Sequence, residues 1–151
     1  MFSSGMDEFS IFAVYRGSSS QSSYSYSEII GDYSGYIWLG PHSSTTMSIG
    51  NGTLIQSGWS RDNTFASHAW NGATSGSANL SLKTTGLTTA VHGSNQTFST
   101  ASNSMLVGSG SIDAFYFQGH IAEILVYPTA LTGDDASTTE LYLAGRYDLS
   151  W

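Results

Sequence analysis

The stretch Gly119-His120-Ile121-Ala122-Glu123-Ile124-Leu125-Val126-Tyr127-Pro128 decides the fold, together with Thr132-Gly133-Asp134-Asp135 and Glu140-Leu141-Tyr142-Leu143-Ala144-Gly145-Arg146-Tyr147 behind it. Within 120–127, Ile121, Leu125 and Tyr127 are apolar, and so are Ala122, Ile124 and Val126 between them. Apolar residues on both sides of a period-two alternation predict a strand buried on both faces and central in its sheet. Pro128 cannot donate to a ladder and ends it. Thr132 is placed as an N-cap, Asp134 and Asp135 put negative charge in a first helical turn, and Ala136, Leu141, Leu143, Ala144 and Tyr147 supply apolar positions. A helix of about three turns is predicted there.

Working outward, residues 9–16 repeat the two-faced pattern, with Phe9, Ile11, Ala13 and Tyr15 against Phe12 and Val14. This second strand is also predicted to be central, and the two together to frame the core. Further short apolar runs predict strands at 28–30, 36–39, 45–49, 53–57, 64–70, 79–84, 88–91, 105–107 and 114–117. Their spacing of about eight to twelve residues is that of an all-β sandwich or barrel. Leu80 and Leu82 alternate with Asn79, Ser81 and Lys83, which predicts one wetted face. Asp32-Tyr33-Ser34-Gly35 and Asn51-Gly52 carry hairpin chemistry, because Asn and Gly tolerate positive φ. Residues 18–27 and 71–78, poor in apolar side chains, read as surface loops.

The chain of 151 residues is one domain, 1–151, large enough to bury a core without metals or disulfides. Charged residues are 10% of it, against a norm of about 25%, so Ser, Thr, Asn and Gly carry the surface polarity. A net charge of -7 repels a polyphosphate backbone and argues against nucleic-acid binding. With no cysteine there is no disulfide framework, thiolate zinc site or thiol nucleophile. No run approaches the ~18 to 20 apolar residues of a membrane span, so no membrane insertion is expected. The first dozen residues hold Asp7 and Glu8 and no Lys or Arg, unlike the basic start of a secretory signal.

The segment Gly119-His120-Ile121-Ala122-Glu123-Ile124-Leu125-Val126-Tyr127, then Ala130-Leu131-Thr132, then 140–147, resembles the closing segment of laminin G-like, concanavalin A-like jelly-roll domains. Residues 9–16 look like the early central strand of that family, and Ser104-Met105-Leu106-Val107-Gly108 like its late strand ending in Gly. The resemblance implies an all-β, two-sheet antiparallel jelly-roll sandwich with one short C-terminal helix. It also exposes a departure, since such domains carry several dozen residues before that early strand, including a strand that pairs near the last one. Eight residues stand there in this chain. The expectation is a sandwich lacking the usual N-terminal strand, either trimmed or completed by a neighbouring chain through strand addition.

Relatives that cleave glucans use Glu-x-Asp-x-x-Glu on one strand face, which brings two carboxylates to about 5 to 5.5 Å for a retaining mechanism. That triplet is missing, and Glu123 stands alone between Ala122 and Ile124, where a structural or hydrogen-bonding use is expected. Glu28 and Asp113 are likewise isolated. His42, His68, His92 and His120 show no His-x-His or His-Glu-x-x-His spacing, so no metal site is expected through them. Calcium is the better metal candidate through Asp32, Asp62, Asn63 and Asp113, in or near loops, although no Asp-x-Asn run supports it and the expected cofactor is none. No Gly-x-Ser-x-Gly elbow precedes a helix, and Gly108-Ser109-Gly110 has no helix after it, so neither a serine triad nor a dinucleotide site is indicated.

Aromatics are 13% of residues. Tyr33, Trp59 and Trp70, beside Gly, Ser and Asn, are the candidate ligand-binding residues, because sugars stack their C–H faces on such rings. Core packing is the competing reading, and the stronger one for Trp38 between Ile37 and Leu39. Tyr24 and Tyr26 in a serine loop also suit a protein-binding surface. The functional expectation is a non-enzymatic structural or attachment protein on the virion exterior or another extracellular assembly, such as a phage decoration, cement or fibre protein. A homo-oligomer, with trimer symmetry expected, would bind a capsid-like protein surface or glycans. The alternative is a carbohydrate-binding lectin module of a larger secreted protein, with an endo-β-glucanase a distant third.

Overall fold

The computed structural model describes residues 8–17, 28–32, 38–41, 46–49, 53–56, 66–73, 78–82, 90–94, 105–109 and 116–149. In chain order the elements are β1 (Glu8–Gly17), β2 (Ile30–Asp32), β3 (Trp38–Pro41), β4 (Thr46–Ile49), β5 (Thr53–Gln56) and β6 (Ala66–Ala73). They continue with β7 (Ala78–Leu82), β8 (Ala90–Ser94), β9 (Met105–Val107), β10 (Gly119–Tyr127) and the helix α1 (Gly133–Tyr147). The strands form two antiparallel sheets, ordered β10-β1-β6-β7-β8 and β5-β4-β3-β2-β9. The protein is therefore β-rich, with two small antiparallel sheets and one C-terminal helix. Successive strands stay together, β2 to β5 in one sheet and β6 to β8 in the other. A jelly roll alternates successive strands between its sheets, so that part of the expected connectivity is not what the described strands draw.

β1 is central, between β10 and β6, and both its faces are buried. Residues opposite one another in a ladder share a face. Ser10 stands opposite Tyr127, Phe12 opposite Leu125 and Val14 opposite Glu123. This face lies under α1: Phe12, Val14 and Leu143 form a buried cluster, with Leu125, Tyr127, Leu131, Ala136, Tyr147 and Leu149 packed around it. The Phe12 and Tyr127 rings meet edge to face at 5.9 Å, an arrangement that places ring edge against π-cloud. The Leu131 N–H donates to Ser10 Oγ at 2.7 Å, fixing the chain as it leaves β10 for the helix.

The opposite face of β1 carries Phe9, Ile11, Ala13 and Tyr15, all buried. The Tyr15 ring packs edge-on against Phe117 at 5.5 Å. Phe117 N–H donates to the carbonyl of Gly108, and Gly108 N–H donates to that of Ile29, each at 2.9 Å. The segment before β10 thereby ties the β2–β9 edge of one sheet to β1 of the other. Gly108 adopts φ 74°, a left-handed conformation that glycine takes without a Cβ penalty.

α1 spans 15 residues, longer than the three turns expected. Thr132 occupies the N-cap position, but its hydroxyl makes no capping hydrogen bond. The acids Asp134 and Asp135 remain in the first turn, where the helix dipole favours them. Ala136, Leu143 and Tyr147 fall on the stripe that meets β1 and β10. Leu141, read as part of the apolar stripe, instead faces solvent and is 68% exposed, because its helical position points away from the sheet. The helix ends at Asp148, with φ 52°, whose N–H bonds the Ala144 carbonyl.

Other differences follow from lateral pairing. β10 was expected to be central and buried on both sides. It lies instead at the edge of its sheet, paired among the described residues with β1 alone, and Ala122 and Val126 are exposed. Two-faced apolarity reports what lies above and below a strand; it carries no information about the neighbours beside it. The loop expected at 71–78 is partly strand, since Asn71, Gly72 and Ala73 pair with Ser10, Phe9 and Glu8. At the Asn51-Gly52 hairpin, Ile49 stands opposite Thr53, so residues 50–52 lie between them rather than the two of the tightest hairpin. Of the expected strand 114–117, Tyr116 forms an isolated parallel bridge with Glu28, and 114 and 115 lie outside the described residues. The loop 18–27 is also outside them.

Candidate functional site

Polar side chains converge on Glu123. Register places Glu123 opposite Val14, on the face that α1 covers. Beside it α1 brings Tyr142 and Arg146, four residues apart and thus on one flank of the helix, with Tyr147 on the adjoining stripe. Tyr147 Oη donates to Glu123 Oε2 at 2.9 Å, and Tyr142 Oη donates to Oε1 at 3.3 Å. Arg146 Nε lies 3.3 Å from Oε2, with the two side chains 56% and 18% exposed. Arg146 Nη1 also donates to Tyr142 Oη at 3.0 Å. The guanidinium sits 5.9 and 5.8 Å from the ring centroids of Tyr142 and Tyr147, within cation–π range.

Arg146 is held still more firmly in its charged form, first by hydrogen bonding to Tyr147, then by its electrostatic interactions with Tyr142 and Glu123. In chemical terms both carboxylate oxygens of Glu123 are occupied by donors from the helix. The group works as a rivet between β10 and α1.

Two further acids are buried: Glu28, 1% exposed and bridging to Tyr116, and Glu140 in α1. The isolation of Glu28 was legible in the sequence; its burial was not. His120 is exposed and stands opposite Arg16. His68 faces Ala13 and Leu82 in register, and His92 faces Leu80.

Of the ligand-binding candidates, Tyr33 and Trp59 lie outside the described residues. Trp70 is in β6, in the register row that runs Val126, Ile11, Trp70, Leu80, His92 across the sheet. For calcium, Asp32 ends β2 opposite Met105, while Asp62, Asn63 and Asp113 lie outside the described residues. Among the described residues no group of three His, Cys, Asp or Glu is placed to hold a metal ion. No described helix is long and apolar enough to cross a membrane.

Sequence reasoning singled out Glu123 but missed its partners. The available signal was Tyr142 and Arg146 at i, i+4 with Tyr147 next in line, downstream of a lone acid in an apolar strand. Compared with family models, with curated proteins and with solved structures, the chain matches none.

Proposed function

We propose that this protein is a non-enzymatic structural or attachment module, displayed on the outside of an assembly such as a phage particle, where it decorates, cements or extends the surface. A laminin G-like, concanavalin A-like sandwich is the finer fold reading that belongs to this proposal. The order of strand, Pro turn and acid-started helix at residues 119–147 supports it. The observation that carries the functional reading is the engagement of Glu123, the lone acid of the last strand, whose two oxygens are spent on Tyr142, Tyr147 and Arg146. A carboxylate used to fasten a helix to a sheet suits a scaffold that holds. An acidic surface rich in hydroxyls and poor in charge, with net charge -7, suits a soluble coat that avoids nucleic acid.

Static light scattering of the protein alone and mixed with virus particles tests this reading. Expected is a homo-oligomer that co-sediments with particles. A protein that associates with no particle and releases reducing sugar from β-glucans would overturn it. The lectin alternative is favoured by the aromatic content and the three candidate rings, and a glycan array tests it. There, Trp59→Ala and Trp70→Ala are expected to abolish any signal.

A further inference from the structure

We draw no further inference here: the strongest candidate, the outer flank of α1 where Leu141, Tyr142, Gly145 and Arg146 are exposed, shares Tyr142 and Arg146 with the Glu123 junction already described, and nothing in the structure shows what covers the rest.

Discussion

Replacing Leu143 by Ala probes the junction on which the helix depends. Leu143 is 1% exposed and is the helix residue that completes the buried cluster with Phe12 and Val14. The substitution removes three carbons, which at about 0.8 kcal/mol each comes to about 2.4 kcal/mol of lost transfer free energy. A residual hole of roughly 60 Å³ would add about 1.5 kcal/mol at ~24 cal/mol per Å³. The surrounding Leu125, Leu131, Ala136 and Leu149 are only partly buried, so α1 can settle and recover part of that second amount. The expected loss is about 3 kcal/mol, a change of about 150-fold in the unfolding equilibrium and a large fraction of a typical domain's 5–15 kcal/mol. Urea unfolding followed by far-ultraviolet circular dichroism measures it. Leu141→Ala, at 68% exposure, is the matched control and should stay within about 0.5 kcal/mol of the native protein. If the two variants unfold together, the packing of α1 on β1 is not what stabilises this face, and the reasoning fails.

Gly119→Ala should destabilise by about 2–3 kcal/mol, because a Cβ there would run into the Arg16 carbonyl oxygen and lie 2.9 Å from the Phe117 ring; a thermal melt equal to the native one would contradict this. Burial pushes the Tyr15 phenol well above its ordinary range. The unfolded chain begins to release this proton near pH 10 while the folded chain keeps it, so the contribution is intact below that pH and declines above it by about 1.4 kcal/mol per unit. Tyr15→Phe is expected to flatten the alkaline limb of stability against pH by one proton, and an identical slope would count against it. Asp148→Gly should stabilise by about 0.5–1 kcal/mol, since it relieves a left-handed non-glycine residue and removes an anion from the helix C-terminus; a lowered melting temperature would show the strain to be compensated.

Most of the element order was legible because it is written in local periodicity. β9 falls on 105–107 as expected, β1 and β10 exceed their expected spans by a residue or two, and the sequence of strand, Pro and helix is observed. Boundaries moved where a neighbour supplies hydrogen bonds that composition does not announce. β6 thus runs on through Asn71 and Gly72 because Ser10 and Phe9 lie alongside. The candidate site was half legible. A solitary acid in an apolar strand marks itself, but the tyrosines and arginine that occupy it stand 19 to 24 residues away.

The chain by itself determined that β1 buries both its faces and that a helix follows the last strand, because alternation and helical spacing act over a few residues. It also determined the acidic, cysteine-free character that excludes whole classes of chemistry. Only the tertiary structure decided that β1 is flanked on both sides while β10, equally apolar, pairs among the described residues with β1 alone. It alone decided that Glu28 is buried and that Glu123 meets three donors from α1. The physical reason is common to all of these: lateral pairing and side-chain convergence are contacts between distant parts of the chain, and no short-range pattern encodes who the neighbour will be.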